Sequence, residues 1–321
     1  MARIITVSAA LLTLTGCVEV PEEGASVEVN AFVSDASGFD TSTYWVDTGA
    51  EVIVFDAQFT PSLAEEMLAE IKAATANPVR YVVVTHPNPD KFNGATVFQA
   101  AGAKLVASEA TAAAMPGVHD YKEAYFVGAG AFGEGEYPRL PEVDVTFSGE
   151  LSLALDGDVG VTLYELSSPG VSSTQTVAVA GDADAASVFV GDLVAHKAHA
   201  WLEGGIVDGL PRPDLGLWID ALDELDGLAD SEAAVYPGRG ESGALGQVVN
   251  QQQAYLETMD ALVGDYVLGL TDAAGDLTGD ASGDHYAAIT AEAEAAYPTY
   301  GLSYLVTYGV YGLALTKAGA F

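Results

Sequence analysis

The sequence predicts an α/β chain in four layers, with helices outside and two sheets inside. Two runs of strand-like segments, each interleaved with helix-like ones, point to it. So do the compact apolar strands "EVIVFDA" and "VRYVVVT", which read as buried. Half of the 321 residues are hydrophobic, enough for a sizeable core, and no internal apolar run is long enough to span a bilayer.

The elements follow in order. "SVEVNAFVS" and "STYWVD" alternate as strands, and "EVIVFDA" is the third. "PSLAEEMLAEIKAAT" has helical spacing and opens on Pro61, a residue suited to the first turn. "VRYVVVT" is the next strand, and "GATVFQAAG" and "AKLVAS" read as helix then strand. Residues 115–142, rich in Gly and aromatics, read as a loop or insertion that shapes the mouth of a site. Strand patterns resume in "VDVTFSG", "LSLAL", "VTLYEL", "TQTVAVAG" and "SVFVGD". "PDLGLWIDALDELDGL" is an amphipathic helix, "EAAVYPG" a strand, and "GQVVNQQQAYLETMDALVGDYV" a long helix. The Asp- and Gly-dense segment 271–285 does not have the spacing of a twelve-residue calcium loop and reads as a flexible linker. The rest reads as two helices broken at Pro298, the second apolar and aromatic.

The N-terminus has its own logic. One Arg, a short apolar stretch and then Leu14-Thr15-Gly16-Cys17 is the order of a secretory signal. Its end resembles a bacterial lipobox, which implies that Cys17 becomes the lipidated first residue. Cys17 is the sole cysteine, so an intrachain disulfide is excluded. The expected organisation is a signal over 1–16, a tether over 17–26, the main domain over 27–264, and a helical extension packed on it over 265–321. The expected location is the bacterial cell envelope, with membrane attachment through Cys17.

The formal charge is −35, from 46 acidic and 11 basic residues. Such a surface repels nucleic acid and anionic headgroups, which excludes nucleic-acid partners. It suits a saline setting and says nothing about substrate.

Four loops at strand ends hold the residue types of a shared site: His86-Pro87-Asn88-Pro89-Asp90-Lys91, Ser167-Ser168-Pro169, Gly191-Asp192 and Pro237-Gly238-Arg239-Gly240. Sites in α/β proteins gather at such ends. Together with "VFDAQFTPSLAEEMLAEIKAAT", "PVRYVVVTHPNPDKFNGATVF", "AAGAKLVAS", "VFVGDLV" and "VYPGRG…QQQAYL", in that order, they make the chain resemble the metallo-β-lactamase superfamily. The resemblance implies that family's αβ/βα sandwich. It also implies correspondences at its two-zinc site.

The family's first loop reads His-x-His-x-Asp-His; here it is His86, Asn88, Asp90 and Lys91. The place of the third family histidine is about Ser168. The bridging Asp is kept as Asp192, and the last histidine is Arg239. His86, Asp90 and Asp192 therefore remain as metal or catalytic candidates, and Asn88, Lys91, Ser168 and Arg239 are replaced ligand positions.

Zinc takes neutral imidazole, thiolate or carboxylate. Charged Lys91 and Arg239 have no lone pair to offer and would repel a dication, yet both suit pairing with Asp90 and Asp192. The first expectation is a protein without two-zinc hydrolysis that binds an unknown small molecule or envelope protein, with an anion conceivable at the Lys and Arg. A hydrolase of ester, lactone or lactam type with one residual divalent metal, zinc above others, stays open, with His196 or His199 as a replacement ligand. Metal-free hydrolysis by Ser167 or Ser168 with His86 as base lacks a nucleophile-elbow motif. His119 and His285 receive no role.

Overall fold

The computed structural model describes residues 27–181 and 186–320. The segments read as signal and tether, with Cys17, lie outside the described residues.

The first half holds β1 (Val29–Val33), β2 (Ser42–Asp47), β3 (Val52–Phe55), α1 (Pro61–Ala74), β4 (Val79–Val83), α2 (Pro89–Phe92), α3 (Ala95–Ala100), β5 (Lys104–Ser108), α4 (Glu109–Gly128) and β6 (Val145–Phe147). The second half holds β7 (Glu150–Ser152), β8 (Val161–Glu165), β9 (Thr176–Ala180), β10 (Ser187–His196), β11 (Gly205–Val207), β12 (Leu210–Arg212), α5 (Leu215–Asp226), β13 (Ala234–Gly240) and β14 (Gly243–Ala244). Four helices finish it: α6 (Leu245–Leu268), α7 (Ala273–Thr278), α8 (Ser282–Ala296) and α9 (Tyr304–Lys317).

Two six-stranded sheets form, in the orders β1-β2-β3-β4-β5-β6 and β14-β13-β10-β9-β8-β7. In the first, β1 to β3 are antiparallel and β3 to β6 parallel. Period-two alternation explains the layering. In β3, Val52 and Val54 face one way, into a core with Met67 and Ile71 of α1 and Phe98 of α3. Ile53 and Phe55 face the other way, into a core shared with Leu163, Ala178 and Phe189 of the second sheet. Phe55 and Phe189 stack there with ring centroids 3.8 Å apart. The outer face of the second sheet is covered by α5, α6, α8 and α9 through Trp218, Leu222, Leu256, Ile289, Val310 and Leu313. The result is the four-layer order expected, with its cores built among the described residues.

Local chemistry sets several boundaries. Thr60 caps α1 through Leu63 N–H, with Pro61 in the first turn. Ser108 caps α4 through Thr111 N–H.

Two readings change. The segment 115–142 is not wholly a loop, because α4 runs through Pro116 to Gly128. The segment 271–285 is not a linker: Asp272 caps α7 by accepting from Gly275 N–H, and α8 starts at Ser282. The boundary expected at residue 264 falls inside α6, so the helices after it continue the second-sheet cover. No described helix is long and apolar enough to cross a membrane.

Candidate functional site

The site lies where strand ends of the two sheets meet. β4 leads into His86, and α2 presents Asp90 and Lys91 on one short turn. Asp192 sits in β10 within an irregular stretch of its register against β13, between the pairs Gly191–Pro237 and Ala195–Arg239. Arg239 is near the end of β13.

These residues form one closed ion-pair network. Lys91 Nζ lies 2.7 Å from Asp90 Oδ2 and 2.9 Å from Asp192 Oδ1. Arg239 donates from Nη2 to Asp90 Oδ2 at 3.1 Å and from Nη1 to Asp192 Oδ2. It also donates from Nε to Phe39 O and from Nη2 to Thr41 Oγ1, each at 3.0 Å. Two carboxylates thus face two cations with every guanidinium nitrogen engaged. Lys91 is fully buried and Arg239 nearly so. Gly238 is required here, since a Cβ on it would lie 2.1 Å from Asp192 Oδ1 and 3.0 Å from Lys91 Nζ.

The electrostatics follow from burial set against pairing. Burial pushes the Asp192 carboxyl up, but Arg239 and Lys91 more than offset that and hold it well below the usual carboxylate range. Asp90 is lowered for the same reasons. Burial would lower Lys91, yet Asp192 and Asp90 raise it overall. All four groups are therefore charged at neutral pH.

Beneath the network, His86 Nδ1 bonds Thr85 Oγ1 at 3.0 Å, and Thr85 donates to Asp56 at 3.0 Å. His86 Nε2 has no hydrogen-bond partner and lies 3.6 Å from Asp192 Oδ2. Burial raises the Asp56 carboxyl to about 6.

Not every expected residue arrives. Ser168 lies elsewhere: its backbone N–H, with that of Ser167, donates to Glu224 of α5. The local sequence is an anchor for that carboxylate and supplies no ligand to the network. His196 bonds the Glu241 carbonyl at 3.0 Å and His199 bonds Tyr255 Oη at 3.2 Å, so neither replaces it.

The residues present do not fit the family's metal pair. In the second position, Lys91 Nζ fills the gap between Asp90 and Asp192. Two unit charges 4 Å apart repel by about 4 kcal/mol in a partly buried setting, and a dication doubles that against each of two cations. In the first position, His86 and Asp192 are joined only by the weak Asn88 amide, short of three good protein ligands. A separate group on α4, His119, Asp120 and Glu123, brings its ligand atoms within 4.8 Å of one another. His119 Nε2 there is already bonded to Pro138 O at 2.8 Å.

Above the network opens a cavity of about 540 Å³. Asn88, Asp90, Asp192 and Arg239 line its floor. α4 provides Lys122, Tyr125 and Phe126, and α9 provides Tyr304, Tyr308 and Tyr311 at helical spacing. On the wall, Lys122 Nζ and Tyr311 Oη pair with the buried Glu203, and Trp201 Nε1 donates to it at 2.9 Å. The segment 115–142, read as shaping the mouth of a site, supplies Lys122, Tyr125 and Phe126 to this wall, whereas sequence reasoning missed its α9 side. Its parts lie far apart in the chain, and the one legible signal was aromatic content.

Known proteins share this fold. The model of the metallo-beta-lactamase superfamily matches residues 36–240, more than half of the chain. A metallo-beta-lactamase from Pontibacter korlensis has a similar structure, with TM-score 0.54 and 22% identity, covering 73% of this chain and 95% of that one. The structure of TMB-1 is similar at TM-score 0.51 and 16% identity, covering 74% of this chain and 97% of that one. No curated protein matches. Fold, order of strand-end loops and family match agree: the chain belongs to the metallo-beta-lactamase superfamily, whose members usually bind zinc.

Proposed function

We propose that this chain is a lipid-anchored envelope protein that uses the superfamily's cleft to bind a ligand without two-metal hydrolysis. One observation carries the reading: Lys91 and Arg239 occupy the partners' places around Asp90 and Asp192, in ion pairs that satisfy both carboxylates. A buried pair of this kind is costly to break, because removal of one member strands the others. The cavity above it retains the volume of a small-molecule site.

Metal content of the chain from residue 27 onward, measured by inductively coupled plasma mass spectrometry, tests this. The native chain is expected to hold well under one zinc. About one zinc per chain, lost in Asp192→Ala together with hydrolysis of an ester, lactone or lactam, would replace the proposal with a one-metal hydrolase built on His86 and Asp192. The unpartnered Nε2 of His86 is the observation that favours this second reading.

A further inference from the structure

Resting on that binding reading, we infer that the cleft takes a neutral, largely apolar or aromatic small molecule and discriminates against anions. The cations explain why. An Arg beside a Lys suggests an anion site only while their donors are free. Here Arg239 spends Nε, Nη1 and Nη2 on Phe39 O, Asp192, Thr41 and Asp90. Lys91 is fully buried between two carboxylates and lies beneath the cavity. Lys122 is held by Glu203 and lies 5.0 Å from the Trp201 ring centroid.

Formal charge agrees. Asp90, Asp192 and Glu203 on the lining are balanced by Lys122 and Arg239 there and by Lys91 below, so the site is neutral. The rest of the chain, at −35, opposes an incoming anion.

The walls supply the binding energy. Tyr125 and Phe126 of α4 and Tyr304 and Tyr308 of α9 line the cavity, and so do Phe39 and Phe59, whose rings lie 5.0 Å apart and pack against Phe126. Aromatic walls of this kind bind flat apolar bodies by burial and edge or face contact. Asn88 adds one polar contact. It lines the cavity at 9% exposure, stands at the N-cap of α2 and makes no cap bond there. Its amide can serve a single neutral N–H, hydroxyl or carbonyl of the ligand.

The test is a fluorescence titration of the chain from residue 27 onward with two matched compounds. N-phenyl-1-naphthylamine is neutral, and 1-anilinonaphthalene-8-sulfonate has the same rings with a sulfonate added. The neutral compound is expected to saturate one site per chain, at least about tenfold tighter than the sulfonate. Tyr125→Ala and Tyr308→Ala, at side chains 52% and 55% exposed, are each expected to weaken it about fivefold with the fold intact. Leu268→Ala, at an 83% exposed position outside the cavity, should leave it unchanged.

Equal or tighter binding of the sulfonate overturns the inference. So does absence of saturation by the neutral compound, or indifference to both tyrosine variants. Zinc measured on the same sample separates the two ideas. Zinc together with selective neutral binding overturns the non-hydrolytic reading alone, and an empty chain that ignores the neutral compound overturns this inference alone.

Discussion

Lys91 is the residue on which the site turns. Its ammonium, like the Arg239 guanidinium, touches both carboxylates, and its side chain is fully buried. Lys91→Met keeps the volume and removes the charge. At neutral pH the variant is expected to lose about 3–5 kcal/mol in urea unfolding, the usual cost of stranding a buried partner. The sign of the pH dependence follows from the carboxylates. Asp90 and Asp192 are depressed in the native chain, so their contribution is present above the unfolded value of 3.8 and lost as pH falls through their native values. Without Lys91 that contribution shrinks. The gap between native chain and variant should therefore be widest near pH 7 and narrow below about pH 4. A gap that does not vary with pH would show that Lys91 acts through packing alone.

At the scale of elements, α9 is held close by its glycines. A Cβ on Gly312 would lie 2.2 Å from Glu203 O, so the helix presses directly on the Trp201–Glu203 segment. Gly312→Ala is expected to cost about 1–3 kcal/mol, since backbone must move. Gly264→Ala in α6, where nothing lies within 4 Å of the added Cβ, should instead stabilise by about 0.5–1 kcal/mol. Opposite signs in thermal unfolding would confirm that contact, and not helix propensity, governs α9.

The elements also show what the sequence could say. Apolar strands such as "VIVF" and amphipathic α5 were plain because their periods match their burial. α4 was obscured by Pro116 and Gly117 inside it, and α7 and α8 by Asp and Gly residues that serve as caps and turns. At the site, Lys91 and Arg239 stood out because charge at a ligand position is chemically incongruous. Ser168 was misplaced because a short polar loop has no period to fix its register. The α9 side of the aromatic wall was invisible because α4 and α9 meet only through tertiary packing, with Tyr121 and Tyr311 hydroxyls 2.8 Å apart.

At the scale of the whole molecule, the proposal sets a strongly acidic chain beside membrane attachment through Cys17. A net charge of −35 repels anionic headgroups, so the proposed attachment rests on a covalent lipid and not on the protein surface. Incorporation of labelled palmitate into the full chain is expected, and its loss in Cys17→Ala. Equal labelling of the variant would remove the anchor from the proposal.

The ion-pair floor has a consequence for how such a protein matures. A metallo-hydrolase is finished twice, first when its chain folds and again when its ions arrive from outside. Here the counter-ions to Asp90 and Asp192 are written into the polypeptide at Lys91 and Arg239. They arrive at a fixed ratio, cannot be stripped by a chelator, and do not depend on the metal supply of the surroundings.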